Sequence, residues 1–243
     1  MSVIEKMAPL SLFVMNMMIV AMGIPAMIPL VVPASMKMQC YTTCIMIAVV
    51  ANLSRVFRKS PPLPKPITSF DAWKLWFVPF TMDADFHQLF FAAIFLSGRP
   101  QLVAVIPLGS RAMLLAMAYA NKNYSNHFLW LNYGKKAYSY VESNLMKLMQ
   151  VVAMMEVSLG FLLVLDGFVS SGKGLMRAFM YWHWLKLKFK YERYKFAGNS
   201  NLAYKQYHTI VWYQLHEAIA VPVVRRLPIV QKAIDMVSRW FAM

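Results

Sequence analysis

A few short patterns in the sequence contain carboxylate, histidine or cysteine side chains at spacings found in metal-binding or catalytic sites. Asp83, Asp85 and His87 alternate, which suits a metal ion on a β-strand, whereas on an α-helix Asp85 points away from the other two. We therefore interpret this group as an acidic helix start, which the helix dipole favours, with His87 as a capping partner. No metal site is predicted there.

Other candidate sites fail on spacing. His216 and Glu217 resemble the start of a zinc-protease helix, but Ala220 stands where the second histidine is required. Cys40 and Cys44 lie one helical turn apart in an apolar run and are predicted to pack as small hydrophobic side chains. The sequence contains no phosphate-binding loop and no nucleophile beside a base. It therefore predicts a protein that is not an enzyme and holds no cofactor or metal.

A charge within an apolar run is the stronger candidate for a role. Glu156 lies near the centre of the run at residues 145–168, and Arg111 lies within the run at residues 101–120. A charge in lipid is costly and needs a partner, a proton or a water-filled path. We favour structural pairing of Glu156, with Arg111 as a candidate partner, over protonation or a transport path.

The composition indicates that such runs cross a membrane. Of the 243 residues, 59% are hydrophobic and only 14% are charged, which is too apolar for an ordinary soluble surface. The formal net charge of +15 then points to anionic lipid headgroups or an acidic partner, with nucleic acid as the weaker explanation.

The apolar runs predict an all-α, polytopic membrane protein. Residues 7–36 carry no charge, and we place a first span at residues 12–32, kinked or frayed near its end by Pro25, Pro29 and Pro33. Further spans are predicted at residues 101–120 and 145–168. Residues 38–54 and 73–96 either cross the bilayer or lie at its interface.

Composition shifts divide the chain into four segments. We predict an N-terminal span with an interfacial helix (1–60), a proline-rich linker (61–72), a helical membrane core (73–171) and a basic amphipathic tail (172–243). The tail carries twelve basic and three acidic residues. The positive-inside rule therefore places it in the cytosol. A single crossing at residues 145–168 then leaves the basic residues 122–147 on the opposite side, so the charges alone do not settle the topology.

The tail mixes aromatic and basic side chains as at a water–lipid boundary. Residues 228–241 place their apolar side chains on one helical face, which predicts a helix lying on the membrane. Residues 175–196 form two apolar stripes separated by lysines, which predicts a helix held by bilayer on one side and protein on the other. We expect lipid or partner contacts from Trp182, Trp184, Lys186, Lys188, Lys190, Arg193, Arg225, Arg226, Lys232, Arg239 and Trp240.

Several of these runs resemble the transmembrane protein 33 family. They are SGKGL at residues 171–175, YWHWLKLKF at residues 181–189 with Arg193 after it, VRRL at residues 224–227, and Ser238 with Arg239. Upstream, residues 87–95, Pro100 and Glu156 also match in order and spacing. The family comprises membrane proteins of the endoplasmic reticulum and nuclear envelope, including fungal pore-membrane nucleoporins.

The resemblance implies an all-helical, non-enzymatic protein with about three crossings and a cytosolic tail. It also implies roles in membrane shape, with reticulons and nucleoporins as partners. Our leading hypothesis is therefore a membrane-shaping or scaffolding protein of the endoplasmic reticulum or nuclear envelope. The alternative is an accessory subunit of a large organellar complex, such as a respiratory complex of the mitochondrial inner membrane. The 21 methionines favour that alternative, since methionine adapts to irregular partner surfaces.

Overall fold

Helices make up the secondary structure of the described chain. The computed structural model describes residues 3–28, 32–60, 70–96, 99–169, 173–196 and 206–215, with Glu217, Lys232, Asp235, Met236 and Arg239. Within these residues there is no strand, so the all-α prediction is confirmed. The α-helices described are α1 (Val3–Met27), α2 (Ala34–Lys59), α3 (Phe70–Thr81), α4 (Ala84–Leu96), α5 (Val105–Asn123), α6 (Lys135–Ser143), α7 (Leu145–Val169), α8 (Lys173–Phe196) and α9 (Tyr207–Leu215).

Four of the described helical segments are long and apolar enough to cross a membrane. They are Pro9–Met27, Ala34–Lys59, Leu102–Asn123 and Leu145–Val169. At 1.5 Å per residue each approaches or exceeds a hydrocarbon core of about 30 Å. The polytopic prediction is confirmed. The second segment, α2, includes residues 38–54 and is longer than that apolar run because the helix continues to Lys59.

The helix boundaries follow from proline and capping residues. Helix α1 ends at Met27, five residues before the end of the span predicted at residues 12–32, in the region where the prolines were predicted to kink or fray it. Helix α2 begins after Pro33, whose carbonyl accepts a hydrogen bond from the Lys37 amide. Residues 61–69 of the predicted linker (61–72) lie outside the described residues, and α3 begins within its last part at Phe70. Most of the amphipathic helix predicted at residues 228–241 also lies outside the described residues.

Helices α1, α2, α4 and α5 pack side by side. Near the middle of α1, Phe13 stacks on Tyr119, close to the end of α5, at 4.9 Å between ring centroids. Nearer the end of α1, a Cβ on Gly23 would meet the side chain of Val105, so α1 and α5 are antiparallel. The Tyr41 hydroxyl of α2 donates to the Phe95 carbonyl of α4. Both cysteines of α2 are free and buried, as predicted.

The C-terminal helices join the same core. Residues 175–196 are helical, as predicted, and form most of α8. Helix α8 packs along α7. Trp184 of α8 packs 4.8 Å from Phe91 of α4 and 5.1 Å from Tyr181, measured between ring centroids. Helix α9 packs on α7 and α8 through Trp212, which lies near Phe161 and Trp182. One hydrophobic cluster therefore contains side chains from α1, α2, α4, α5, α7, α8 and α9.

Candidate functional site

A fully buried carboxylate joins the three C-terminal helices. Glu156 lies at the middle of α7, and its side chain is 0% exposed. Helix α8 supplies Lys188, whose Nζ lies 2.5 Å from both carboxylate oxygens. Helix α9 supplies His208, whose Nε2 lies 2.7 Å from Glu156 Oε2. The prediction that Glu156 is held by pairing is confirmed.

A second carboxylate completes this group, which we call the Glu156 network (Glu156, Lys188, Glu192 and His208). His208 Nδ1 lies 2.7 Å from Glu192 Oε1, and the His208 amide donates to Glu192 Oε2. Since each imidazole nitrogen faces a carboxylate, both nitrogens donate and the ring is protonated. Burial lowers the pKa of His208, but the two carboxylates outweigh burial and raise the pKa above its usual value. The positive charges of Lys188 and His208 then neutralise the negative charges of Glu156 and Glu192.

The structure corrects the suggested partner of Glu156. Arg111 does not contact it, because Arg111 Nη2 donates to Asp85 Oδ1 at 2.6 Å. Lys59 Nζ donates to Oδ2 of the same carboxylate. Burial raises the pKa of Asp85, but the two cations outweigh burial and lower the pKa below its usual value. A second charged group thus fastens α4 to α2 and α5.

Neighbouring polar side chains extend this second group into α1. Arg55 Nη2 donates to Asn16 Oδ1 at 2.6 Å, and Arg55 Nη1 donates to Asn52 Oδ1 at 2.9 Å. Asn16 and Asn52 are both buried. Asn16 is a polar residue inside an uncharged run, and such residues usually face a partner helix, so the sequence carries a signal for this contact.

The alternating group at the start of α4 is a helix cap. Asp83 Oδ1 accepts hydrogen bonds from the amides of Asp85 at 2.6 Å and Phe86 at 3.1 Å. The helix therefore starts at the acidic residues as predicted, but its cap is Asp83 and not His87. Burial lowers the pKa of His87 to about 4, so the ring is neutral. Its Nε2–H donates to the Thr81 carbonyl at the end of α3. Within the described residues no cluster of metal-binding side chains occurs.

Two of the expected lipid-contacting residues lie inside the protein. Trp184 is fully buried, and its Nε1–H donates to the His87 carbonyl at 2.6 Å. Lys188 forms an ion pair with the buried carboxylate of Glu156. The structure corrects both assignments, because the apolar face containing Trp184 packs against α4 and α7 rather than against lipid. Helical periodicity predicted that Trp184 lies on an apolar face of α8, but not that this face contacts protein instead of lipid.

The other predicted contact residues are placed differently. Trp182 packs on Phe161, and Lys186 and Lys190 are partly exposed. The side chain of Arg193 is exposed and lies 5.8 Å from the Phe189 ring centroid. Lys232 and Arg239 are exposed as well. Arg225, Arg226 and Trp240 lie outside the described residues.

Helix α3 is the exposed apolar element that the sequence did not single out. Its residues Phe70 and Leu75 are 81% and 74% exposed, and Phe77 and Val78 are exposed too. Residues 73–96 were predicted to cross the bilayer or lie at its interface, and the acidic helix start predicted at Asp83 and Asp85 already divided them. The signal for the separation was Asp83, which caps a new helix two residues after α3 ends.

Comparison with known proteins identifies the family. A family model described as transmembrane protein 33/nucleoporin POM33 matches residues 1–240. Neither the curated proteins nor the solved structures give a match. Because the family match covers almost the whole chain and agrees with its helices of spanning length, the chain belongs to the transmembrane protein 33/nucleoporin POM33 family and is a membrane protein of the endoplasmic reticulum or nuclear envelope.

Proposed function

We propose that this chain is a non-enzymatic scaffold that shapes the membrane by holding a short apolar helix in one leaflet. The observation that carries this proposal is helix α3. With 12 residues it is about 18 Å long, too short to span a bilayer. Its exposed apolar residues, Phe70, Leu75, Phe77 and Val78, suit the boundary between headgroups and acyl chains.

Helix α3 is fastened to the bundle, so it acts as a rigid wedge. Phe80 is buried, and its ring lies 6.2 Å from that of Phe86 in α4, measured between centroids. Phe77 lies edge-on to Phe86 of α4 at 5.5 Å. The hydrogen bond from His87 to the Thr81 carbonyl fixes the turn between the two helices. A helix held in this way expands the leaflet that contains it.

A mismatch in apolar length supports the same function. Helix α4 has 13 residues and is about 20 Å long, whereas α7 has 25 residues and is about 38 Å long. Helix α4 starts at the charged group around Asp85, whose partner Arg111 lies halfway along the segment Leu102–Asn123. Lys59 in that group is 55% exposed and needs water or headgroups at this depth. Lipid beside α2 and α4 therefore meets a shorter apolar surface and thins to match it.

Exposed cations offer a platform for anionic headgroups. Lys74, Lys135, Lys136 and Arg193 are exposed, and each basic residue near an anionic leaflet contributes about 1 kcal/mol of attraction. Reticulon-like proteins or nucleoporins are the membrane partners we propose for the apolar faces. Exposed methionines favour binding of such partners because their side chains adapt to irregular surfaces. The same property also supports the second candidate function, a structural accessory subunit of a large membrane complex.

Reconstitution into vesicles tests the wedge. The full chain is inserted into liposomes containing anionic lipid, and electron microscopy measures the fraction converted to tubules or small vesicles. We expect the triple variant Phe70→Ser, Leu75→Ser and Val78→Ser to lose at least two-thirds of the remodelling, because its α3 no longer enters the acyl region.

A matched variant separates the apolar face from folding. Phe70→Leu, Leu75→Ile and Val78→Ile keep α3 apolar and should remodel membranes as the native chain does. Both variants must elute as the same species in detergent and insert equally. Equal remodelling by the serine variant, or none by the native chain, would exclude α3 as the shaping element.

A further inference from the structure

Two basic segments of this chain, one on each side of α7 in the sequence, bear on which helices cross the membrane. Basic residues cluster at positions 122–147, before α7, and at positions 186–195, after it. If α7 alone crossed the bilayer, these two clusters would lie on opposite sides. The positive-inside rule disfavours a basic segment on the lumenal side.

Contacts show that α8 runs back along α7. Near the end of α7, Asp166 Oδ2 accepts a hydrogen bond from Arg177 Nη2 at 2.6 Å. One and a half turns earlier in α7, the ring of Phe161 lies 5.4 Å from that of Trp182. At the middle of α7, Glu156 binds Lys188. Positions in α7 fall while those in α8 rise, so the two helices are antiparallel.

The two helices also match in length. Helix α8 has 24 residues, about 36 Å, against about 38 Å for the 25 residues of α7. Continuing the same pairing brings Lys195 to the level of the first turn of α7. A helix lying flat on the membrane would contact α7 at one level only. Instead α8 follows α7 from Gly167, whose added Cβ would touch Leu175, to Glu156 and beyond.

We propose that α8 is a further membrane-crossing helix and that it returns the basic tail to the cytosolic side, where residues 122–147 also lie. Near the middle of the proposed crossing, Lys188 is neutralised by Glu156 within the bundle. At the opposite end, Arg177 is bound to Asp166 and to the Arg99 carbonyl. The buried cation at the lumenal end is thus paired, and the excess of basic over acidic residues lies at the cytosolic end.

Protease protection in sealed microsomes tests this arrangement. An epitope flanked by glycine–serine linkers is inserted in the full chain either after Asn126, an exposed position, or between Val169 and Lys173. We expect added protease to remove the first epitope and to spare the second until detergent opens the vesicles. A glycosylation acceptor placed in the same linkers should be modified only at the second position.

The reverse pattern, with the epitope after Asn126 protected and glycosylated, would establish a single crossing by α7 and overturn the proposal. Digestion of both epitopes would mean that neither α7 nor α8 crosses, and protection of both would place residues 122–147 in the lumen, so either result also overturns it. An epitope after Met243 must be digested. Each tagged chain is compared with the untagged one for thermal stability in detergent, which identifies insertions that disturb the fold.

Discussion

Removing the carboxylate of Glu156 should strongly destabilise the C-terminal half of the bundle. In Glu156→Gln the Lys188 ammonium, 13% exposed, loses both of its carboxylate contacts, and His208 loses one of its two. Breaking a buried ion pair by removing one partner costs about 3–5 kcal/mol, since the remaining charge stays buried and uncompensated. We therefore expect a loss of about 4 kcal/mol, which is nearly a thousandfold in the unfolding constant.

The assay is equilibrium unfolding of the purified chain in mixed micelles with increasing SDS. The single variants Glu156→Gln and Lys188→Met are compared with the double variant. Since the double variant removes the pair together, it should be more stable than the sum of the two single losses predicts, with a coupling energy of about 1–3 kcal/mol. Additive losses would refute the pairing seen in the structure.

A charge exchange distinguishes the true partner from the one suggested by the sequence. Glu156→Lys combined with Lys188→Glu should recover part of the stability that either change removes. Glu156→Arg combined with Arg111→Glu should recover nothing, because Arg111 is bound to Asp85 instead. Rescue by the second pair and not the first would show that the helices are packed differently.

Three further outcomes are expected. Asp83→Ala should lower the free energy of unfolding by about 1 kcal/mol because α4 loses its cap, measured in the same SDS titration. Gly160→Leu should weaken the packing of α8 on α7, because a Cβ there already lies 3.2 Å from Trp182, and the change should expose α8 to limited proteolysis. The pKa of His208 is raised in the folded chain, so its protonated ring stabilises α9 fully below about pH 6.5 and that stability is lost as pH rises through the raised pKa. The SDS midpoint should therefore fall on going from pH 6 to pH 9.

Each of these outcomes has a control. Asp83→Asn keeps a capping oxygen and should retain most of the stability that alanine loses. Gly109→Leu is the matched glycine variant, since a Cβ at Gly109 meets nothing within 4 Å. His208→Gln should flatten the fall in SDS midpoint with pH, and an unchanged slope would assign that dependence to another group.

The fold class and several local features were predictable because they depend on neighbours in the chain. Uncharged runs of spanning length identify membrane helices, and the prolines from Pro25 onward predicted that the first of these helices is disturbed near its end. The cap at Asp83 follows from a side chain that reaches amides two and three residues ahead. Such interactions need no knowledge of the tertiary structure.

The partners of the buried charges were not predictable in the same way. Asp85 and Arg111 are 26 residues apart, and Glu156 and His208 are 52 apart, so their contacts depend on which helices lie side by side. Periodicity correctly placed Trp184 on an apolar face. It could not tell lipid from protein as the neighbour of that face, because both are apolar.

Apolar length, charge and residue order can all be read along the chain, and they suffice to identify a helical, basic membrane protein of the transmembrane protein 33/nucleoporin POM33 family. The pairing of Glu156 with Lys188 and the return of α8 along α7 depend on how the helices pack and are visible only in the folded protein. The physical reason is that a buried charge must be neutralised where it lies, and the packing of helices distant in sequence selects the group that does so.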